Sequence, residues 1–158
     1  MSIDSIKEIM DGFDPASLLP DLNTLFGRLG LVCRIAVLIG PIVLLIMGLA
    51  YLLLSPKEAN HYFGYRCYFG MGSVQAWRFT QRISGAVLAG LGLILGVVMF
   101  FVSSSFGAME VNAMVWRAVT CLLWEAGLSL AAILGINTTA MLLFDHNGEY
   151  RGKKKKKK

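Results

Sequence analysis

The composition of this 158-residue chain is strongly apolar, since 56% of its residues are hydrophobic and only 16% are charged. The mean hydropathy is +0.62. So few polar groups cannot cover so much apolar surface, which argues against a soluble monomer and favours a membrane protein. The net charge of +5 is local, because the run Lys153–Lys158 supplies more than all of it. No nucleic-acid partner is predicted from it.

The sequence carries no recognisable motif for catalysis or metal binding. It has no phosphate-binding G-x-x-x-x-G-K-S/T loop, no H-E-x-x-H pair and no G-x-S-x-G nucleophile turn. The three cysteines, Cys33, Cys67 and Cys121, lack C-x-x-C spacing and have only two histidines to complement them. We therefore predict a protein that is not an enzyme and that uses no cofactor and no metal.

Residues 1–28 are acidic and predict an amphipathic segment that lies on the membrane surface. Apolar residues recur there at helical spacing, and Asp14-Pro15 has the pattern of a helix start. The segment lacks the basic beginning of a signal peptide. An interfacial helix is the preferred interpretation.

The first predicted transmembrane helix covers residues 29–54. A span needs about 20 apolar residues, and this run is interrupted only by Arg34 near its start and by Pro41. A membrane bundle tolerates such a proline. Ser55-Pro56 ends the run and opens a polar, aromatic connection over residues 55–79.

Ser73 is the expected N-cap of a helix that begins at Val74 and whose apolar part, residues 80–103, forms the second span. Trp77 is expected at the level of the lipid headgroups, with Arg78 and Arg82 nearby extending to phosphates. Small residues share one face of this helix and predict close packing against another helix. They are Gly85, Ala89, Gly92, Gly96 and Ser103.

The third predicted span, residues 113–144, contains Arg117 and Glu125. On a helical wheel Glu125 belongs to a face of mostly small or polar side chains: Cys121, Glu125, Ser129, Ala132, Ile136 and Thr139. Glu125 should therefore point into the bundle, where a charge is costly unless it is paired or protonated. Two interpretations remain open, a functional carboxyl or a structural ion pair with Arg34 or Arg117.

The distribution of cations predicts the orientation. The segment Pro56–Gly85, which follows the first span, and the C-terminal segment 145–158 together hold eleven of the fifteen Lys and Arg residues. Three spans place these two regions on the same side, which the positive-inside rule assigns to the cytoplasm. The N-terminus is then outside. The run Lys153–Lys158 is expected to attract anionic lipid, although a simple solvated tail fits the sequence equally well.

The connection 55–79 also has a pattern of its own, N-x3-G-Y-R followed by S-x3-W. Its residues are Asn60, Gly64, Tyr65, Arg66, Ser73 and Trp77. Flanked by aromatic residues, Arg66 has the donors to bind a lipid phosphate or a peptide carboxylate. It could also cap the last carbonyls of the first span, and this structural role is favoured.

This pattern resembles that of the SdpI family of bacterial membrane immunity proteins. Cys67 departs from it, because a threonine is expected at that position. The resemblance implies a multi-pass protein of the bacterial cytoplasmic membrane that protects its cell from a secreted membrane-active toxin. It also implies, for some members, that a transcription repressor is sequestered at the membrane.

The residues and the resemblance together predict an all-α membrane protein with three transmembrane helices preceded by an N-terminal interfacial amphipathic segment. Three parts are expected: residues 1–28, the membrane domain 29–144 and the basic cytoplasmic tail 145–158. The expected partners are membrane lipids, a toxin peptide or a repressor, and further copies of the chain. Two other functions remain as alternatives, a small oligomeric transporter or ion conduit using Glu125, and a structural or regulatory membrane subunit.

Overall fold

The computed structural model describes residues 22–56, 59 and 62–154, with side chains from residue 27 to residue 152. Three long helices dominate it: α1 (Leu22–Leu53), α2 (Val74–Ser104) and α3 (Val111–Leu143). Each is long and apolar enough to cross a membrane. The predicted all-α fold with three transmembrane helices is therefore confirmed.

Among the described residues, three shorter helices accompany the long ones. A 3-10 helix, Phe69–Met71, lies in the connection from α1 to α2, and another, Phe106–Ala108, lies in the connection from α2 to α3. A four-residue helix, α4 (Arg151–Lys154), follows the third span. The predicted interfacial helix falls almost entirely outside the described residues, as do Asn60 and the last four lysines.

The helices α1 and α2 pack closely because small residues meet at their contact. A Cβ placed on Gly92 would lie 2.5 Å from the Leu45 nitrogen and 2.8 Å from the Pro41 oxygen. A Cβ on Gly48 would collide with the backbone of Ala89. The predicted small-residue face of the second span thus packs within one chain, against the first span. In lipid such close contacts replace the hydrophobic effect as the source of helix association.

The helix α3 packs on the α1–α2 pair through one face. All members of the predicted face around Glu125 are buried or half-buried, whereas Trp124 and Leu123 beside it are largely exposed. Towards the Phe106–Ala108 end the three helices share an apolar core. Its buried members are Val37, Leu95, Met99, Phe106, Met114 and Ala118.

The outer surface of the bundle is apolar. Leu53 in α1, Phe101 in α2 and Leu123 in α3 are 78%, 69% and 69% exposed. Exposed apolar area on this scale is unfavourable in water and favourable in hydrocarbon. A bilayer requires an apolar surface towards the lipid and hydrogen-bond partners for all backbone N–H and C=O groups. The apolar exterior meets the first requirement, and the internal hydrogen bonds of each helix meet the second.

Candidate functional site

Gly64 lies within the motif loop, which is defined here as the described residues between Leu53 and Val74. Its φ of +121° is a conformation that side-chain-bearing residues rarely adopt. A Cβ at this position would lie 2.8 Å from the Trp77 ring and 3.0 Å from Gln81 Oε1. Glycine therefore lets the loop backbone lie directly against α2.

Tyr65 connects the loop to α2 and α3. Its backbone N–H donates to Gln81 Oε1 at 2.8 Å, and its carbonyl accepts from Gln81 Nε2 at 2.7 Å. Its hydroxyl donates to Asn137 Oδ1 at 2.9 Å. Loss of solvation on burial is the main cause that raises the pKa of this hydroxyl above the usual 10.0, and nearby Cys67 and Tyr51 contribute. The hydroxyl therefore remains a hydrogen-bond donor over the physiological pH range.

Trp77 is completely buried beneath the motif loop. Its indole N–H donates to the Pro56 carbonyl at 3.0 Å, and its ring contacts Gly64. The folded-back loop covers the ring, so Trp77 does not contact lipid headgroups directly, and its predicted level in the membrane stays a prediction. Tryptophan supplies both a large apolar body and one donor, which suits this buried position.

Ser73 is the N-cap of α2, as predicted. Its hydroxyl accepts from the Ala76 N–H at 3.1 Å and donates to the Gly148 carbonyl at 2.7 Å. One side chain thus begins the second span and binds the segment that follows the third. Such capping contributes about 1 kcal/mol to helix stability in typical cases.

The segment Phe144–Tyr150 forms a tight turn, named the C-terminal hairpin here. Phe144 and Tyr150 pair as an antiparallel bridge, and Asp145 Oδ1 accepts from two backbone N–H groups within the turn. Gly148 has a φ of +72° and lies against the backbone of Gly72 and Ser73. The start of the predicted polar tail is therefore packed onto the motif loop.

Aromatic contacts reinforce the position of the hairpin. The Phe144 ring is 2% exposed and lies with its centroid 5.4 Å from that of Phe79 in α2. The Tyr150 ring contacts Phe144 at 5.9 Å, and Arg151 Nε donates to the Phe144 carbonyl at 3.2 Å. The end of α3 is thereby fixed to the beginning of α2.

The exposed side of the motif loop presents aromatic and cationic groups. Tyr62 is 95% exposed and Tyr68 is 75% exposed, and the Arg66 side chain between them is also exposed. Two clefts of about 580 and 450 Å³ lie nearby, and both are lined by Arg78 and Arg82. This end of the bundle thus offers donors and ring faces that suit anionic or aromatic groups.

Four of the predicted motif residues, Gly64, Tyr65, Ser73 and Trp77, are brought together with their helices at this end of the molecule. The fifth, Arg66, lies in the same loop but faces outward, and Asn60 falls outside the described residues. The predicted role of Arg66 in capping the last carbonyls of α1 stays a prediction. The motif is therefore principally a set of contacts that fixes the loop to α2 and α3.

Comparison with known proteins agrees with this motif. The model of the SdpI/YfhL protein family matches residues 57–143, which is more than half of the chain. The chain belongs to the SdpI/YfhL protein family. A search of solved structures gave no match.

One curated family member is an uncharacterized protein, YfhL of Bacillus subtilis (strain 168). It is 34% identical to this chain over 70 residues, which are 40% of this chain and 64% of YfhL. The chain thus covers less than two thirds of that relative. The family match ends at Leu143, so the C-terminal hairpin of this SdpI/YfhL protein lies beyond the matched residues.

The three predicted intramembrane charges are not brought together. Glu125 is 5% exposed and lies against Gly40, where a Cβ would be 2.5 Å from its Oε2 atom. Its Oε1 atom has no hydrogen-bond partner among the described residues. Arg34 instead lies over the Phe100 ring, 5.7 Å from its centroid, and Arg117 is exposed. The described residues contain no Glu125 ion pair with either arginine, so that interpretation is wrong.

Sequence analysis did not identify three residues of the site in this SdpI/YfhL protein: Gln81, Asn137 and Gly148. Gln81 and Asn137 are uncharged polar residues in apolar helices, and such residues commonly make specific hydrogen bonds in membrane proteins. Asn147-Gly148 is a turn signal at the end of the third span. These signals identify polar contacts and a turn, but they do not reveal the partners.

Proposed function

We propose that this SdpI/YfhL protein protects its cell from a membrane-active toxin through a binding surface on the motif loop. The observation that carries the proposal is the fixed position of the loop. Gln81 and Asn137 hold Tyr65 from two different helices, and this places Arg66 and its aromatic neighbours on a preformed surface. Preformed surfaces bind well because little conformational entropy is lost on association.

The residue types at this surface support recognition of a peptide or protein. Tyrosine and arginine are enriched among residues that dominate binding energies at interfaces. The planar guanidinium of Arg66 can engage a carboxylate through two hydrogen bonds, whereas an ammonium offers a single charge. Tyr62 and Tyr68 provide large contact area with few rotatable bonds. A toxin peptide is the ligand class proposed for this surface.

Growth protection tests the proposal. Cells that express the toxin from a neighbouring gene are compared with and without this chain and its variants. We expect Arg66→Ala and Tyr68→Ala to lose protection at an unchanged membrane level of the protein, and Lys57→Ala to retain it. Protection by Arg66→Ala and Tyr68→Ala equal to that of the unsubstituted chain would contradict the proposed surface.

We also propose that the same surface retains a transcription repressor at the membrane when toxin is present. The proposal rests on the exposed Arg66 and Tyr68 and on the predicted cytoplasmic side of the loop. A tagged repressor should then move from the soluble to the membrane fraction on toxin exposure. Arg66→Ala should abolish the shift. An undiminished shift in that variant would assign repressor binding to another surface.

The proposed orientation places the motif loop in the cytoplasm and the N-terminus outside. Cys67 in the loop provides the test, after Cys33 and Cys121 have been replaced by alanine. An impermeant thiol reagent should label Cys67 in inverted vesicles or opened cells and not in intact cells. Labelling of Cys67 in intact cells would reverse the orientation and place the motif loop outside.

A small oligomeric transporter is a second candidate function, and the buried carboxyl of Glu125 is the observation that favours it. Three helices in one chain enclose little space, so a path would form only between several copies. Flux into proteoliposomes that depends on Glu125 would support this candidate. Growth protection by a Glu125→Gln variant together with absent flux would leave immunity as the function.

A further inference from the structure

Glu125 is a carboxyl group inside the membrane bundle that the motif loop does not use. It lies on the buried face of α3, with 5% of its surface exposed, and its Oε2 atom lies close to Gly40 of α1. Its Oε1 atom is buried and has no hydrogen-bond partner among the described residues. A buried carboxylate without hydrogen bonds or a counter-ion is strongly unfavourable in an apolar environment.

No cation in the described residues neutralises this carboxyl. Arg34 belongs to the neighbouring helix, but its guanidinium lies over the Phe100 ring. Arg117 precedes Glu125 by two turns of α3 and is exposed. In the absence of a paired cation, a carboxyl in such a site is neutralised most simply by binding a proton.

Glu125 contacts α1 next to a position where the helical hydrogen bonding of α1 is interrupted by a proline. Pro41 follows Gly40 and has no N–H, so it cannot provide the helical hydrogen bond that the Val37 carbonyl would otherwise accept. Carbonyl groups in a helix point towards its C-terminus, which directs the Val37 oxygen towards the level of Gly40 and Pro41. A protonated carboxyl at Glu125 carries a donor suited to such an acceptor, whereas a carboxylate carries none.

The other titratable groups near Glu125 are few. On α3 they are Cys121, which is close enough to interact electrostatically with Glu125, and Arg117. On the facing part of α1 they are Cys33 and Arg34. Residues 83–104 of α2 contain no titratable side chain. The protonation of Glu125 is therefore governed mainly by its own burial.

We propose that Glu125 is an intramembrane proton-binding site, protonated in the folded protein at neutral pH and emptied at alkaline pH. The bound proton removes the charge between α3 and α1 and supplies the carboxyl with a hydrogen-bond donor. Loss of the proton places a negative charge beside Gly40 and weakens the packing of α3 on α1. This site does not depend on the proposed immunity function.

Chemical modification of the full-length protein in proteoliposomes is the first test. A hydrophobic carbodiimide reacts with protonated carboxyl groups in apolar surroundings, and mass spectrometry locates the adduct. We expect an adduct on Glu125 at pH 6 whose yield decreases several-fold by pH 9, and no adduct there in Glu125→Gln. Absence of the adduct, or a yield unchanged by pH, would overturn the proposal. If sodium ions suppressed the adduct on Glu125 at constant pH, the site would bind a metal cation and the proposal of a proton site would be overturned.

Thermal unfolding in detergent is the second test and does not depend on access of a reagent. If Glu125 is protonated in the folded protein and ionised in the unfolded protein, folding takes up a proton. The stability of the protein therefore falls as the pH rises. The unfolding constant of the unsubstituted chain should therefore increase relative to that of Glu125→Gln, by at most about tenfold per pH unit.

Glu110→Gln is the matched control, because Glu110 is exposed at the start of α3. Its pH dependence should equal that of the unsubstituted chain. If the stability of Glu125→Gln varied with pH as strongly as that of the unsubstituted chain, the proposal would be overturned. If Glu125→Gln does not fold, the pH dependence of the Glu125 adduct in the unsubstituted chain decides the question.

Discussion

Gln81 binds the backbone of Tyr65 with both ends of its side-chain amide. The two hydrogen bonds, 2.8 and 2.7 Å long, join residues that are sixteen positions apart in the sequence. Gln81 is 1% exposed, so water cannot replace either bond. This pairing fixes the loop that carries the family motif to the second transmembrane helix.

Replacement of Gln81 by alanine should strongly destabilise the motif loop. The Tyr65 N–H and carbonyl would lose their partners, and each buried unsatisfied group costs on the order of 1–3 kcal/mol. Thermal unfolding and proteolysis of the loop should both report the loss. Gln75→Ala is the control, because Gln75 is exposed on the same helix. Equal stability of the two variants would mean that the pairing contributes little.

Gly64→Ala should displace the loop from Trp77. Alanine would have to adopt a φ of +121°, which side-chain-bearing residues rarely do, and its Cβ would lie only 2.8 Å from the indole ring. Backbone strain of this kind costs on the order of 1–3 kcal/mol. Tryptophan fluorescence should shift as the ring becomes accessible. Gly107→Ala, whose Cβ would meet no atom within 4 Å, should leave fluorescence and stability unchanged.

Gly92→Leu should separate α1 and α2, because the new side chain would occupy the position of the Leu45 and Pro41 backbone. Overpacking typically costs about 1–3 kcal/mol even where side chains can adjust, and backbone atoms adjust less. Gly90→Leu, on an open face of the same helix, provides the comparison. A melting temperature for Gly92→Leu as high as that for Gly90→Leu would contradict the observed helix contact.

Tyr65→Phe should remove the link from the motif loop to α3 at a cost of about 0.5–1.5 kcal/mol. Because burial raises the pKa of this hydroxyl above 10.0, its contribution to stability is complete below the pKa of an unfolded tyrosine. The contribution is lost as the pH rises through the higher pKa of the folded state.

Absorbance of tyrosinate during alkaline titration measures this effect. One late-titrating tyrosine should disappear in Tyr65→Phe. An unchanged late phase in Tyr65→Phe would show that burial does not protect this hydroxyl.

Local patterns in the sequence were sufficient for the fold class and for several details. The apolar runs predicted the three spans, Ser73 predicted the start of the second, and the helical wheel predicted that Glu125 faces inward. The short polar pattern around Gly64, Tyr65 and Trp77 indicated the family. Each of these features depends on neighbouring residues or on the period of a helix, and both are visible in a single sequence.

The partners of these residues were decided only in three dimensions. Trp77 has the chemistry of a headgroup anchor, but the loop between α1 and α2 folds over it. Glu125 could form an ion pair with an arginine, but the guanidinium of Arg34 lies over the Phe100 ring and not beside Glu125. Two side chains of suitable chemistry meet only if the helices bring them to the same depth and the same face.

The amino-acid sequence by itself determined which segments enter the membrane, because transfer of apolar residues into hydrocarbon depends on composition over a helix length. The tertiary structure decided that Gln81, Asn137 and Gly148 hold the motif loop, and that the chain after α3 returns to Ser73. These contacts join residues up to 75 positions apart. They form only where the packed helices bring distant segments to the same end of the bundle, and no single segment of the sequence specifies that arrangement.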